Sequence, residues 1–436
     1  MKKTLLLLFL SFVCFSQLRA QCADCTGTGR YADSVFTCAS VTPNIQYGTG
    51  LRDWSWTNLL CLNIQLPPYQ TQLPLLADFY EPCGDTASCR PLVIAIHGGA
   101  WAGGNKSEMA VFCDFLAKKG YAVANINYRL SLPSNILCWD TDSDSIRLVR
   151  AAFRAVQDAK AAVRFFRAHA AEYRIDTSNI FVAGASAGAF TALGVGYLNL
   201  ENERPGACAA QPQLGEWFGS LYFPDMGSIE GFGGNPNFSS AVCGVLNMSG
   251  ALFDLTLLDG PDDPPLVSFH GTADDVVPFG DDCLLRGVIN ANIFHHCIPV
   301  HGSVTVHQRA DTLGMDAQLF TFPGGGHGYT PAETAVILNE TTNFLCKNLK
   351  KTSGLNNPEP APQVDVFPNP VNDIIYLKTP VSSGSWLLFN MQGQLARAIE
   401  IHDETTIVQR KNLPAGVYVW RWEGGKMVAS GRIILQ

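Results

Sequence analysis

The sequence has no apolar run long enough to cross a membrane. Charged residues make up only 16% of the 436 residues, and the net charge of −8 has the wrong sign for binding nucleic acid or an anionic membrane. Cysteine and histidine are not spaced as in a zinc site, so we expect no bound metal. The hydrophobic content of 47% and the length instead indicate a globular protein with two domains, or one large domain with an appendage.

The N-terminus has the three parts of a secretory signal peptide. Met1-Lys2-Lys3 supplies positive charge, Leu5 to Cys14 is almost wholly apolar, and Ala20 is a small residue at a plausible cleavage point. The apolar run is too short for a membrane anchor. A glutamine precedes Cys22, where a lipoprotein signal has a small residue. We therefore expect residues 1–20 to be removed, and the mature protein to pass through the periplasm and be secreted or held at the cell surface.

Cysteines are numerous for an exported chain. The sequence has 14, one of them in the signal peptide, so an odd number remains and at least one thiol is expected to be free. Cys83 and Cys89 flank a polar turn between two apolar strands, and we expect them to form a local disulfide. Cys113 lies in an apolar helical run and is expected to be a buried thiol. Cys22 and Cys25 have the spacing of a redox pair but follow no strand, so a structural disulfide is favoured there.

Apolar strands alternate with helical segments through most of the chain. The predicted strands are Pro91–Ile96, Tyr121–Ile126, the run from Ile180, Ala241–Met248, Pro265–Phe269 and Ala317–Phe322. The predicted helices are Lys106–Lys119, Ser145–Tyr173, Ala187–Leu198 and Glu333–Leu349. Ahead of them, Leu59–Leu66 and Leu73–Tyr80 look like paired strands. The alternation predicts an α/β fold with a mostly parallel sheet and helices on both faces.

A polar, proline-rich stretch at residues 350–363 predicts a linker. After it, short alternating strands separated by turn residues predict a small antiparallel β-sandwich at residues 364–436. That domain has one histidine, His402, and no cysteine, so we expect no chemistry there. Residues 21–349 would form the catalytic domain, in which Asn199–Ser240 is long and rich in glycine, proline and aromatic residues and would form a lid or pocket wall.

The stretch Gly184-Ala185-Ser186-Ala187-Gly188 joins an apolar strand to a helix. This is the G-x-S-x-G pattern in which a serine at a sharp strand-to-helix turn is exposed as a nucleophile. The two glycines avoid collisions in the turn, and the helix points its free N–H groups at the serine. The alternative is a tight turn whose serine merely caps the helix.

A nucleophilic serine needs a base and a group that orients the base, and in a doubly wound sheet both follow strand ends. Asp274 lies in the loop after Pro265–Phe269, and we favour it over Asp275, Asp263 and Asp281 as the acid. His270 precedes that acid and is expected to be structural.

His327 lies between glycines in the loop after Ala317–Phe322 and is the predicted base. Four other histidines lie in an irregular segment and are expected at the surface: His295, His296, His301 and His307.

The loop His97-Gly98-Gly99-Ala100-Trp101 follows the Pro91–Ile96 strand. Glycines let the main chain turn its amides toward a substrate oxygen, so this loop is the predicted oxyanion hole, with Gly99 and Ala100 as the preferred donors. The amide of Ala187 would supply a further donor. Trp101 and Phe223 are predicted to line the substrate pocket.

Together these motifs resemble the α/β-hydrolase superfamily, in particular secreted carboxylesterases of the hormone-sensitive-lipase-like and feruloyl-esterase-like type. The matching stretches, within about Leu59 to Lys350, are His97–Trp101, Asn127–Leu130, Gln157–Arg164, Gly184–Gly188, His270–Asp274 and Gly326–Gly328. Ala100 stands where the common motif has a third glycine, and Ala185 stands where relatives often have Asp, Glu or Gly. Asp158 is expected to support the Tyr128-Arg129 turn rather than catalysis.

The tail resembles the type A C-terminal sorting domain of the type IX secretion system. The matching stretches are Phe367–Pro370, Asn390–Gly393, Leu413–Tyr418 and Gly431–Gln436. This implies recognition by the secretion machinery. The alternative is a carbohydrate-binding module, in which Trp386, Trp420 and Trp422 would form an exposed row.

The resemblance implies a secreted serine esterase with the triad Ser186, Asp274 and His327, acting through an acyl-enzyme without a cofactor. Its substrate would be a small-molecule or polymer-linked ester. Two alternatives remain: a serine peptidase on the same fold, and a non-catalytic binding protein on a hydrolase scaffold.

Overall fold

The computed structural model describes residues 29–51, 56–59, 62–65, 72–132, 142–216, 219–223, 225–286, 297–350, 364–379, 381–390, 395–424 and 427–436. The predicted signal peptide, Cys22, Cys25 and nearly all of the predicted linker lie outside these residues. The chain divides into two compact units, residues 1–352 and 353–436.

The first unit contains 15 strands and six α-helices among its described residues. The strands are β1 (Ala39–Leu51), β2 (Trp56–Leu59), β3 (Leu62–Gln65), β4 (Gln72–Pro82), β5 (Arg90–Ile96), β6 (Ala122–Ile126), β7 (Ile175–Ala185), β8 (Gln211–Glu216), β9 (Gly219–Phe223), β10 (Val245–Met248), β11 (Ala251–Leu252), β12 (Leu266–Gly271), β13 (Asp281–Cys283), β14 (Pro299–Gly302) and β15 (Ala317–Phe322). The helices are α1 (Ala110–Lys118), α2 (Asp142–Ala168), α3 (Ala170–Tyr173), α4 (Ala187–Tyr197), α5 (Ser303–Leu313) and α6 (Pro331–Asn348). In the described part of the chain, none of the helices has both the length and the apolarity to span a bilayer.

An eight-stranded sheet in the order β1-β4-β6-β5-β7-β10-β12-β15 forms the centre of this unit. The pairs β1–β4 and β4–β6 are antiparallel, and all pairs from β6 to β15 are parallel. Strands β5 and β6 are buried along their whole length because helices cover both faces of the sheet.

The two faces of the sheet carry separate hydrophobic cores. Phe153 of α2 and Leu193 of α4 are buried in one core. Leu116 of α1 and Phe344 of α6 are buried in the other, together with the free thiol of Cys113, as predicted. This arrangement confirms the predicted fold class, a mostly parallel sheet between two layers of helices.

The pairing of β4 differs from the prediction. We expected Leu73–Tyr80 to pair with Leu59–Leu66, but β4 pairs with β1, and β2 pairs with β3. Most side chains of β1 are exposed. The strand therefore lacks the apolar pattern that would have identified it in a turn-rich sequence.

The segment after β13 is also more regular than predicted. Helix α5 was not predicted, and His307 within it is buried, so its expected place at the surface is wrong. His301 lies in β14 and is half-buried, with Nδ1 3.0 Å from Asp281. His295 and His296 lie outside the described residues. In the predicted lid segment, β8 and β9 pair as an antiparallel hairpin.

The disulfides also differ from the prediction. Cys83 is bonded to Cys38, so the predicted Cys83–Cys89 disulfide is wrong. The pairing of β1 with β4 brings the more distant cysteine to Cys83. Cys38 directly precedes β1 and Cys83 directly follows β4, so the bond joins the start of one strand to the end of its partner. A second disulfide joins Cys283 to Cys297.

The described residues of the second unit form two antiparallel sheets, as predicted. Its strands are β16 (Asp365–Phe367), β17 (Ile374–Lys378), β18 (Gly384–Phe389), β19 (Leu395–Ile401), β20 (Thr405–Gln409), β21 (Gly416–Gly424) and β22 (Met427–Leu435). The sheets have the orders β16-β17-β20 and β19-β18-β21-β22. Trp386, Trp420 and Trp422 are 0%, 7% and 0% exposed, so they belong to the core and do not form the exposed row that a carbohydrate-binding module needs.

Candidate active site

Strand β7 runs directly into helix α4 at Ser186. The serine has φ 54° and ψ −123°, a strained conformation for a residue with a side chain. Its backbone N–H donates to the carbonyl of Met248 at the end of the neighbouring strand β10, which holds the turn in place. The hydroxyl makes no capping bond to α4, so the alternative of a serine that merely caps the helix does not hold.

The loops after β12 and β15 bring Asp274 and His327 to this serine. His327 Nε2 lies 2.8 Å from Ser186 Oγ, and His327 Nδ1 lies 2.8 Å from Asp274 Oδ2. A carboxylate oxygen only accepts, so Nδ1 carries the proton of the neutral imidazole and Nε2 can accept the serine proton. The side chain of His327 is 25% exposed and that of Asp274 is 0% exposed. The histidine therefore faces the open side of the site and the acid is shielded from water.

Asp274 has hydrogen-bond partners at both of its oxygens. Oδ1 accepts from the amides of Val276 and Val277, and Oδ2 contacts His327 and, at 3.2 Å, Nε2 of His270. Burial by itself raises the pKa of Asp274, but the hydrogen bonds from His270 and His327 outweigh it and hold the pKa well below its usual value. The carboxylate is therefore ionised at neutral pH.

The rival carboxylates have other partners. Asp275 is exposed, Asp263 accepts from amides of its own loop, and Asp281 contacts His301. The acid that touches His327 is thus the one favoured from the sequence.

The loop after β5 lies against the serine. A Cβ added to Gly98 would lie 3.2 Å from the Cβ of Ser186. Gly99 and Ala100 both have positive φ, 98° and 52°, which turns the chain sharply here. Across from this loop, Ala187 is the first residue of α4, so its N–H has no partner within the helix.

Tyr128 fixes the direction of the peptides in this loop. Its hydroxyl lies 3.1 Å from the carbonyl oxygen of His97 and 3.0 Å from that of Gly98. In a trans peptide the N–H points opposite to the C=O, so the amides of Gly98 and Gly99 point away from Tyr128. Burial raises the pKa of Tyr128, so the hydroxyl keeps its proton. This role of Tyr128 was not predicted, and the one signal for it in the sequence is its place just after the end of a buried strand.

Asp158 has the supporting role that was expected of it. Its carboxylate accepts from the backbone amide of Arg129 at 2.9 Å and from the guanidinium of the same residue at 2.6 Å. This pair secures the turn next to Tyr128.

The structure does not place either of the two predicted pocket residues, Trp101 and Phe223, in a substrate pocket. Trp101 is 1% exposed, its indole N–H donates to Thr191, and its ring packs edge-on against Phe190. It therefore packs in the core in this structure, and its contact with substrate stays a prediction. Phe223 ends β9, and its side chain lies outside what the structure describes.

Among the described residues, no group of three or more His, Cys, Asp or Glu side chains is arranged to hold a metal ion.

Two regions of the chain match models of known protein families. Residues 77–216 match the BD-FAE family model, and residues 365–436 match the model of the secretion system C-terminal sorting domain. Both matches confirm the resemblances indicated by the sequence motifs. No curated protein matches the chain.

Solved structures similar to the chain include a truncated carbohydrate esterase from gut microbiota, at 23% identity and TM-score 0.44, covering 74% of this chain and 99% of that one. Esterase 2 of Thermogutta terrifontis phosphorylated by paraoxon is similar at 18% identity and TM-score 0.44, covering 70% and 95%.

Proposed function

From the premise that the chain carries a BD-FAE domain of the α/β-hydrolase esterases and a C-terminal sorting domain, we propose that it hydrolyses carboxylic esters through Ser186, His327 and Asp274. The chain is a carboxylesterase-type hydrolase, and its sorting domain indicates export to the cell surface or the medium. The single observation that carries the proposal is the pair of 2.8 Å contacts that runs from Ser186 through His327 to Asp274.

The first half of the reaction transfers the acyl group to the enzyme. Ser186 Oγ attacks the ester carbonyl carbon while His327 Nε2 takes the hydroxyl proton. Asp274 holds the Nδ1–H tautomer and stabilises the imidazolium. The tetrahedral intermediate collapses when His327 passes its proton to the leaving alcohol, which leaves the acyl group on Ser186.

The second half repeats these steps with water. His327 accepts a proton from water, whose oxygen attacks the acyl carbon, and then returns the proton to Ser186 as the acid leaves. The 25% exposure of the His327 side chain provides the water with a route to the base.

The amides of Ala187, Gly99 and Ala100 are the proposed donors to the intermediate's oxyanion, with Gly98 in the same loop. Each such donor lowers the barrier by about 3 kcal/mol. Support comes from Tyr128, which draws the carbonyl of Gly98 toward itself and so aims the Gly99 amide away from that ring.

The test is Ser186→Ala, assayed on a short p-nitrophenyl ester, with Ser240→Ala as the matched control. Ser186 is partly buried and Ser240 is buried, and the hydroxyl of Ser240 bonds Glu230 rather than a triad residue. We expect a loss of at least about 10⁴-fold in kcat for the first variant and none for the second. Hydrolysis at the wild-type rate by Ser186→Ala would reject the proposal.

Two further measurements separate the alternatives. A fluorophosphonate should label Ser186 in the wild type, whereas a non-catalytic binding protein would stay unlabelled. A serine peptidase should cleave the matching p-nitroanilide at a rate comparable with the ester, and we expect the ester to be strongly preferred.

A further inference from the structure

A second histidine contacts the acid of the triad. His270 lies in β12, its side chain is 0% exposed, and its Nε2 lies 3.2 Å from Asp274 Oδ2. The same nitrogen lies 3.0 Å from the carbonyl oxygen of Val277. Both neighbours are oxygens that only accept hydrogen bonds, since one belongs to a backbone carbonyl and the other to an ionised carboxylate. Nε2 of His270 therefore carries a proton and donates it to both.

The other side of the ring is fixed as well. Nδ1 of His270 lies 2.8 Å from Ser303 Oγ, and Asn247 Nδ2 donates to that oxygen at 3.1 Å. Ser303 accepts from Asn247, and its own proton has two acceptors within reach: Nδ1 of His270 at 2.8 Å and the carbonyl of Gly250 at 3.4 Å. The shorter contact favours donation to His270. All three side chains are fully buried, so the ring is held in one orientation with each nitrogen satisfied.

We propose that His270 is a positioning residue for ester hydrolysis, which fixes Oδ2 of Asp274 in line with Nδ1 of His327. This inference rests on the proposed function. Two backbone amides hold Oδ1, so the remaining freedom of the carboxylate lies at Oδ2, where His327 and His270 meet. His327 is partly exposed and must move little while it exchanges protons, whereas His270 is locked by Ser303. The buried histidine thus orients the acid, and the acid orients the base.

Two substitutions separate this role from plain packing. In His270→Gln, the amide nitrogen falls near the place of Nε2 and can still donate to Asp274. In His270→Asn, the shorter side chain reaches toward Ser303 but not toward Asp274. Both variants keep a polar group in the buried site, so a structural role predicts similar losses in each.

We expect kcat of His270→Asn to fall by about 10- to 100-fold, as for a small misplacement of a catalytic group, with KM changed less than about twofold. His270→Gln should stay within about threefold of the wild type. The downfield proton resonance of the His327–Asp274 hydrogen bond should be retained in His270→Gln and shifted or lost in His270→Asn. Equal kcat in the two variants, or an unchanged resonance in His270→Asn, would overturn the proposal.

His307→Asn is the matched control, because His307 is buried and bonds Ser268 Oγ at 2.9 Å without touching the triad. Its kcat should equal that of the wild type. A loss as large as that of His270→Asn would mean that the buried hydrogen bonds of His270 affect activity only by stabilising the fold. Thermal unfolding is followed for each variant. If His270→Asn does not fold, His270→Gln decides alone, and a tenfold loss of kcat there overturns the proposal. Activity that survives in Ser186→Ala would instead reject the proposed function, independently of these results.

Discussion

Gly184 lies so close to Gly188 across the elbow that it cannot carry a side chain, and Gly188 in turn lies as close to the end of β5. A Cβ on Gly184 would lie 2.0 Å from the carbonyl oxygen of Gly188, and a Cβ on Gly188 would lie 2.2 Å from that of Ile96. In both cases the obstructing atoms belong to the backbone, which cannot rotate aside as a side chain can. The strained conformation of Ser186 therefore requires residues without a Cβ at positions 184 and 188.

Gly188→Ala should unfold the elbow. We expect a loss of about 3 kcal/mol or more in the free energy of unfolding, measured in urea, together with loss of esterase activity. The control is Gly206→Ala, where an added Cβ meets nothing within 4 Å. Wild-type stability and activity in Gly188→Ala would show that the elbow can relax.

Tyr128→Phe should lower kcat without a matching loss of substrate binding. The hydroxyl holds the carbonyls of His97 and Gly98, so its removal loosens the proposed oxyanion hole but deletes no donor. We expect about a tenfold decrease in kcat, less than the ~100-fold that accompanies the loss of a donor itself.

Tyr197→Phe provides the comparison for that variant. Tyr197 is also buried, and its hydroxyl donates to the carbonyl of Pro264 at 2.9 Å. Both variants should lose about 1 kcal/mol of stability, but only Tyr128→Phe should lose activity. Equal activity in the two would remove Tyr128 from the reaction.

His307 makes the stability of the first unit depend on pH. Burial lowers the pKa of His307 from 6.5 to about 4. Between these values the unfolded chain binds a proton that the folded protein does not, so this contribution is fully present above pH 6.5 and is lost as the pH falls to 4. A shift of this size corresponds to about 3 kcal/mol.

His307→Gln should remove that dependence. The free energy of unfolding is obtained from urea curves measured at each pH from 4 to 7. It should rise more steeply with pH for the wild type than for the variant. An equal pH dependence in the two proteins would mean that burial does not lower the pKa of His307 in the folded state.

Replacing Cys38 and Cys83 together with serine should lower stability and leave catalysis unchanged. The bond joins residues 45 positions apart, for which chain entropy predicts a loss of about 4 kcal/mol. Cys83 follows the end of β4 that lies opposite the carboxyl ends of the parallel strands, whereas Ser186 lies at those carboxyl ends. A thermal melt and a kcat measurement at 25 °C test both statements, and a drop in kcat at that temperature would contradict the second.

The residues of the candidate site could be predicted because each is specified locally. Ser186 and Asp274 each follow a largely buried strand, and His327 follows the partly exposed edge strand β15. The three side chains can be expected to meet because parallel strands end at a common edge of the sheet. The glycines that flank Ser186 and His327 then distinguished these two residues from the other serines and histidines of the chain. Contacts between these residues could be expected although they lie 141 and 53 positions apart.

The features that were missed depend on distant partners. Strand β1 has mostly exposed side chains, so no periodic pattern identifies it, and Cys38 could not be matched to Cys83 without it. The roles of Tyr128 and His270 depend on which backbone carbonyl or carboxylate lies within 3.2 Å in the folded protein. The motif spacing alone does not contain that information.

The second unit buries a hydrophobic cluster drawn entirely from residues 364–435, with Trp386 and Trp422 at its centre. The two cores of the first unit use residues up to 349. A protease that cut the connecting peptide would therefore leave every one of these clusters whole. Among the described residues, each hydrophobic cluster has all of its members on one side of residues 350–363, so removal of the sorting domain would divide none of them.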